Sequence, residues 1–353
     1  MWMFVSLALG QEPVLKAKNI IEQTFEEEIS SVELERAAIN GMLTTIEENT
    51  GLKGSIAMSP EEHQELMSRQ LGVREGYGLR VQLLPGRGFY VDSVIPEGPA
   101  ANAGVVEGDV IISLADNPFT GLEPEQMLSI LNQEYSEKIP IDVVRGDELR
   151  RFTLSKGVFQ LQLVSVDESI NIHFFGKGAS QHLQHYLQQQ TDQGVVIDLR
   201  DTEGGVWEEA IQSLDLLLPK EEVLGYRKTM DGVAIPIISK SDVIYSQPII
   251  VLINQGTSGP AELFALTLQE HQRATIMGDV SAGNASDFRI HSLDNDIILK
   301  LVNTEILSSQ KRSWTGKGIV PNMLIRQNIA LPAYGSSSTD IQLETALRLL
   351  STQ

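Results

Sequence analysis

The chain has 353 residues, of which 42% are hydrophobic and 21% are charged, and its formal net charge at pH 7 is −20. This length is enough for two domains, the composition is ordinary for a globular protein, and the acidity argues against nucleic acid or anionic lipid as a partner, because both are bound by basic patches. There is no cysteine, which excludes disulfides, thiol catalysis and cysteine-bound metals.

The chain begins with a short apolar run from Met1 to Gly10 that ends in small residues. This pattern is typical of the tail of a secretory signal, although the basic start is missing. The run is too short to span a bilayer. We therefore predict a signal-peptide remnant at 1–12 and an exported protein, periplasmic or extracellular, without strong membrane association. The alternative is a frayed N-terminus.

Residues 13–73 are predicted to form a helical N-terminal arm, because apolar residues recur at helical spacing up to residue 70. Ser30 and Glu33 have the spacing of a capping box. The run from Ser59 to Glu62 supplies a second cap, with a proline at the first helical position.

Residues 74–156 predict short strands separated by Pro, Gly and Asn, with one helical pattern between them. The runs EGPAANAG, from Glu97 to Gly104, and EGDVI, from Glu107 to Ile111, resemble a PDZ domain. The resemblance implies a β-sandwich or barrel-like module.

A PDZ domain captures the C-terminal tail of a partner by adding it to a strand edge that faces a helix. By this resemblance, the loop from Gly76 to Leu79 would hold the terminal carboxylate through backbone N–H groups. The residues expected to contact the tail are Gly76, Tyr77, Gly78, Leu79, Val81, Met127, Ile130 and Leu131. The alternative is a PDZ fold that only braces the chain.

From residue 157 to residue 353, continuous apolar strands alternate with helical segments, which predicts an α/β core. Three segments resemble the carboxyl-terminal processing (tail-specific) serine peptidases of family S41: Val196 to Gly205, Asn254 to Glu262 and Gly316 to Asn322. The resemblance implies a core like that of the crotonase/ClpP superfamily. The expected fold class is therefore a multidomain α+β and α/β protein.

The family's catalytic positions are occupied here by residues that lack the required chemistry. The nucleophilic serine of that family stands three residues before the glutamate, where this chain has Gly259, and the general-base lysine is replaced by Asn284. An amide does not titrate, so it cannot take a proton from a hydroxyl. Phe288 stands in place of the supporting glutamine, and Pro260 lacks the N–H that would enter the oxyanion hole. The comparison of motifs implies a peptidase fold that has lost its Ser/Lys dyad.

Two features of the site remain. Gly204 and Gly205 match the family's other oxyanion segment, although the turn could need glycine for steric reasons alone. Ser258 is the alternative nucleophile, but moving by one residue on such a turn rotates a side chain by about 100°.

No cofactor or metal site is predicted. His182 and His185 would share a helix face, but two ligands are too few for a protein zinc site.

We predict a pseudopeptidase that binds protein C-termini or extended peptides, with an active relative as a further partner. The alternatives are an active serine endopeptidase that uses Ser258 and a structural or scaffold subunit without a peptide ligand.

Overall fold

A computed structural model describes residues 12–25, 30–133, 135, 138–190, 192–326 and 340–352. The predicted signal-peptide remnant therefore lies outside the described residues, except for residue 12. The chain divides into two compact units: a smaller unit of residues 1–67, 223–237 and 284–315, and a larger unit of residues 68–222, 238–283 and 316–353. Because both units are discontinuous in sequence, this division does not test the domain boundaries at residues 73 and 156, which stay predictions.

Short elements dominate the first part of the chain, which contains α1 (Glu12–Thr24), α2 (Ser31–Thr50), β1 (Ile56–Met58), α3 (Pro60–Gln70), β2 (Val73–Gly76), β3 (Leu79–Leu84), β4 (Gly88–Val94), α4 (Pro99–Ala103), β5 (Val110–Leu114), β6 (Asn117–Pro118), α5 (Pro124–Leu131), β7 (Lys138–Arg145), β8 (Glu148–Ser155) and β9 (Gly157–Gln160). Helices and strands then alternate through β10 (Val164–Val166), β11 (Ile170–Ile172), α6 (Ala179–Gln189), β12 (Val195–Asp198), α7 (Trp207–Asp215), β13 (Val223–Thr229), β14 (Ala234–Ile238), β15 (Ile249–Ile253), α8 (Pro260–Glu270), β16 (Thr275–Gly278), β17 (Ser286–Ser292), β18 (Ile298–Leu307), β19 (Met323–Leu324) and α9 (Ile341–Leu350).

The helical arm departs from the sequence expectation in two places. The strand β1 interrupts it and pairs with β18, a partner more than 200 residues away that no local pattern reveals. Ser30 stands at the N-cap of α2, but its side chain makes no capping hydrogen bond. The second cap forms as predicted, because Ser59 and Glu62 each accept the other's backbone N–H.

The smaller unit is built on a sheet in the order β1-β18-β13-β14, with β17 also paired to β18. Asn40 on α2 secures β1, since its Oδ1 accepts the backbone N–H of Ala57 at 2.8 Å. The unit thus combines the helices of the arm with strands from distant parts of the sequence.

In the larger unit, the PDZ-like segment forms a sheet in the order β3-β4-β5-β7-β8, with β6 on β5. Its strands and α5 lie where the alternating pattern predicted them. The turn before β5 is held by Asp109, which is fully buried and receives two hydrogen bonds from Arg145 at 2.7 and 2.9 Å. Paired in this way, a buried carboxylate is tolerated in a small apolar core.

The remainder of the larger unit is a sheet in the order β10-β11-β12-β15-β16-β19, parallel from β11 onward. Every residue of β15 is buried, as expected for a central parallel strand. The helix α9 packs against Val196, Ile250 and Leu252 on one face. The chain is thus a mixed α/β protein of several modules, and none of its described helices is both long and apolar enough to cross a membrane.

Candidate active site and tail-binding groove

The loop before α8 is attached to the loop that follows β12. Thr257 Oγ1 donates to the carbonyl of Leu199 at 2.8 Å, and the backbone N–H of Ser258 donates to the carbonyl of Thr202 at 3.0 Å. The two loops leave the carboxyl ends of β12 and β15, which are parallel neighbours. The carboxyl edge of such a sheet is where α/β proteins place their sites, so two distant motifs meet here.

Gly259 is the N-cap residue of α8 and has φ of 65° and ψ of −120°. This conformation is strained for a residue with a side chain and free for glycine. A Cβ placed on Gly259 would have no heavy atom of the described chain within 4 Å. The backbone therefore leaves space for a side chain at the position where the family resemblance expects the serine, and the sequence supplies none.

Glu262 is fully buried and organises this loop. Its Oε2 accepts the backbone N–H of Gly259 at 3.0 Å, and its Oε1 accepts the N–H of Gly283 at 2.7 Å and the hydroxyl of Ser281 at 2.5 Å. Hydrogen bonds of this kind compensate for the burial of a carboxylate. The sequence motif identified Glu262 only as a reference position, but the structure shows that it joins the loop before α8 to residues 281–283.

Three further residues bear on the chemistry that the family resemblance expects at this loop. Pro260 is buried at the first position of α8 and has no N–H. Ser258 is half-buried, and no described residue of the larger unit forms a hydrogen bond with its hydroxyl. Lys317 is exposed and forms no hydrogen bond with Ser258. An unassisted serine hydroxyl is a weak nucleophile.

Gly204 and Gly205 form the turn that leads into α7, with φ of 71° and 117°. A Cβ on Gly205 would lie 2.8 Å from the carbonyl oxygen of Phe175, which accepts the N–H of Val206 at 2.8 Å. The close approach to Phe175 is by itself a steric reason for a glycine at position 205. A role for either glycine in an oxyanion hole stays a prediction.

Asn284 and Phe288 belong to the smaller unit. Asn284 Oδ1 accepts the backbone N–H of Ser286 at 3.2 Å. Phe288 packs under a lysine, since Lys300 Nζ lies 4.6 Å from its ring centroid, and burial lowers the pKa of Lys300. Lys300 does not replace the base expected at position 284. Ser286, two residues after Asn284, pairs with Glu305 of β18. Lys300 lies five residues from Glu305 on the same strand, which corresponds to about 16 Å between the two backbone positions.

The loop expected to hold a carboxylate has two backbone donors available. The carbonyls of Tyr77 and Gly78 accept the N–H groups of Ala100 and Ile95 at 2.8 Å. In the part of the chain that the structure describes, the N–H groups of Tyr77 and Gly78 themselves have no acceptor. The adjacent β3 lies at the edge of its sheet, where an added strand can pair.

A cavity of about 230 Å³ opens beneath β3 in the PDZ-like segment. This volume is below the usual range of about 300–1,000 Å³ for small-molecule pockets, and it suits a single side chain. Four of the residues expected to contact a tail line this cavity: Tyr77, Leu79, Val81 and Leu131.

The other expected tail contacts lie elsewhere. Met127 is fully buried in the core, and Ile130 packs against the same core and is partly buried. Met127 therefore supports α5 from within and has no surface for a peptide. Gly76 and Gly78 line a larger cleft of about 1130 Å³ that β3 shares with the loops following β12 and β15.

Within this cleft, Arg80 connects β3 to the loop after β12. Its guanidinium donates to Asp92 Oδ2 and to Asp201 Oδ2, each at 2.7 Å. Asp201 in turn accepts from Asn254 Nδ2 at 3.0 Å. Sequence reasoning did not identify this chain of contacts, because Arg80 and Asp201 are 121 residues apart and the family motif that contains Asp201 indicates no partner for it.

The histidine pair on α6 does not assemble a larger cluster. His185 Nε2 is 3.0 Å from Gln189 Nε2 on the same helix. Across the described ranges, no group of three or more His, Cys, Asp or Glu residues has a metal-binding arrangement.

Two family models match the chain: the PDZ domain over residues 90–145 and peptidase family S41 over residues 169–325. A carboxyl-terminal-processing protease of Synechocystis sp. is 24% identical over 330 residues, which cover 89% of this chain and 76% of the relative. A carboxy-terminal-processing protease of Bartonella bacilliformis is 28% identical over 307 residues, covering 82% of this chain and 69% of the relative.

Solved structures show the same fold. A photosystem II D1 C-terminal processing protease superposes with a TM-score of 0.57 at 17% identity, covering 96% of both chains. A putative S41 protease from Bacteroides fragilis gives a TM-score of 0.60 at 15% identity, covering 84% of this chain and 90% of that one. The chain therefore carries a PDZ domain followed by a peptidase family S41 domain, with relatives named carboxyl-terminal-processing proteases.

Proposed function

We propose that this protein is a pseudopeptidase that binds the C-terminal tails or extended segments of other proteins and does not cleave them by the serine–lysine chemistry of its family. The observation that carries the proposal is Gly259, which stands at the nucleophile position with no side chain, although its surroundings have room for one. The general base expected at position 284 is an asparagine amide, which cannot accept the proton.

Three features of the described part of the larger unit support binding. The edge strand β3, the free N–H groups of Tyr77 and Gly78, and the cavity beneath them support capture of a tail that ends in a carboxylate. The names of the relatives, which refer to carboxyl-terminal processing, agree with protein C-termini as ligands. We further propose that an active relative is a partner, and that the protein is exported.

The test is to incubate the full chain with fluorescent peptides that end in a free carboxylate. Fluorescence anisotropy would report binding, and mass spectrometry of the same samples after prolonged incubation would report cleavage. We expect bound peptides to be recovered intact. Cleavage that disappears in Ser258→Ala would overturn the proposal and establish the alternative nucleophile, whereas absence of binding across a varied peptide library would favour a structural subunit.

A further inference from the structure

Ser165 and His173 form a serine–histidine pair outside the family's catalytic positions. Ser165 Oγ lies 2.7 Å from His173 Nε2, which is within the range of a nucleophile and its general base. Ser165 is the middle residue of β10 and pairs with Asn171 of β11. Because residues two apart in a strand share a face, His173 is the diagonal neighbour of Ser165, and the strand register itself brings the two side chains together.

His173 lines the cleft of about 1130 Å³ together with β3, the expected tail-binding strand. His173 is exposed at the wall of this cleft. Partial desolvation lowers the pKa of His173, and the charge of Arg80 acts in the same direction, while the carboxylates of Asp198 and Asp167 oppose them. A lowered pKa favours the neutral imidazole, which is the form that can accept a proton.

The pair lacks the third member of a catalytic triad. In the described ranges, no carboxylate forms an ion pair with His173, and Asp198 is instead hydrogen-bonded to Arg200 at 2.5 Å. Without a group that holds the orientation and tautomer of the imidazole, a serine–histidine pair loses much of its catalytic rate. Such a pair is suited to substrates with a good leaving group and is poorly suited to amides.

We propose that Ser165 and His173 form an acyl-transfer site for activated esters, with Ser165 as nucleophile and His173 as general base. Ser165 Oγ attacks the ester carbonyl carbon while its proton passes to His173 Nε2. The bond to the leaving oxygen breaks, and that oxygen takes the proton from His173. Water then attacks the acyl-serine, which releases the carboxylic acid and regenerates both side chains. This activity goes beyond the proposed binding of tails and leaves peptide bonds intact.

The experiment labels the full chain with a fluorophosphonate probe and maps the modified residue by mass spectrometry. We expect the label on Ser165, and we expect His173→Gln, which keeps a polar partner for the hydroxyl, to slow labelling by about 100-fold or more. Ser93→Ala is the matched control, since Ser93 lines the cleft that His173 lines but has no histidine partner, and its labelling rate should equal that of the unaltered chain. Thermal unfolding would confirm that each variant is folded.

The pH dependence provides a second readout. The labelling rate should rise as His173 loses its proton, with a midpoint below the ordinary histidine pKa of about 6.5, and this rise should disappear in His173→Gln. A label mapped to any other residue, no label, or equal rates in the unaltered chain and His173→Gln would each overturn the proposal.

Discussion

Glu262 Oε2 accepts the backbone N–H of Gly259 at 3.0 Å, so a buried carboxylate holds the loop at the position where the family resemblance expects a nucleophile. Its other oxygen accepts the N–H of Gly283 at 2.7 Å. Glu262 thus fixes the loop conformation through backbone N–H groups on both sides. Substitutions of Glu262 therefore test what holds the loop, and substitutions of Gly259 test what the loop can catalyse.

Replacing Glu262 by Gln should destabilise the larger unit. The amide nitrogen would face backbone N–H donors in place of an acceptor, which leaves a buried donor unsatisfied and costs about 1–3 kcal/mol in the free energy of unfolding. Urea-induced unfolding measures the change. Glu203→Gln is the control, because Glu203 is exposed, and a surface substitution should change stability by less than about 0.5 kcal/mol. Equal stability of Glu262→Gln and the unaltered chain would contradict this role.

The variant Gly259→Ser should fold but remain unable to cleave peptides. The open space around Gly259 accepts a side chain, while φ of 65° imposes a backbone strain of about 1–3 kcal/mol. The family resemblance expects the base at position 284, where the chain has an asparagine, and a hydroxyl without a base is a weak nucleophile. Gly259→Ala, which has the same strain and no hydroxyl, is the control for stability and for peptide cleavage.

Adding Asn284→Lys and Pro260→Ala to Gly259→Ser supplies a base and a backbone N–H. We expect the first measurable peptide cleavage in this triple variant, because the family resemblance assigns the nucleophile to position 259 and the base to position 284. Efficient cleavage by Gly259→Ser alone would show that a base other than position 284 is already in place.

Asp340 should contribute stability that disappears in acid. Burial alone would raise its pKa, but hydrogen bonds from Arg200 outweigh burial and lower the pKa of Asp340. A carboxylate whose pKa is lower in the folded state stabilises the protein above its unfolded pKa of about 3.9, and this contribution is lost as pH falls through the folded value.

The measurement compares the urea-induced unfolding of Asp340→Asn and the unaltered chain between pH 7 and pH 2. Because Asp340 is about one-third exposed, we expect a modest difference of about 1–2 kcal/mol at pH 7, which shrinks below about pH 4. Asp147→Asn, in an exposed turn, should show no such difference. A difference that stays constant with pH would contradict the ion-pair explanation.

Local sequence patterns predicted the elements of the PDZ segment and the parallel sheet well. Strands such as β15 are continuous apolar runs, and α5 has a clear helical period. The strand β1 was not predicted, because three residues carry no period and its partner β18 is distant in the sequence. Long-range pairing sets its conformation.

The candidate site was predictable only where residues match family motifs. Gly259 and Asn284 could be found by counting along the chain. The contact between Arg80 and Asp201 could not, because only the folded chain brings them together. Met127 shows that a periodic pattern does not tell which side of a helix faces a ligand. Its helical spacing with Leu131 suggested that both residues face the groove, but Met127 is fully buried.

The most direct test of the central claim compares peptides that end in a carboxylate with their C-terminal amides. Tail capture through Tyr77 and Gly78 predicts roughly micromolar dissociation constants for the acid, about −8 kcal/mol, and clearly weaker binding of the amide, which lacks the charge that N–H groups hold. Gly78→Val should weaken binding of the acid, because a Cβ at φ of 71° would lie 3.2 Å from Pro99 Cδ. Fluorescence anisotropy on identical sequences gives both constants, and equal affinity for acid and amide would contradict carboxylate capture.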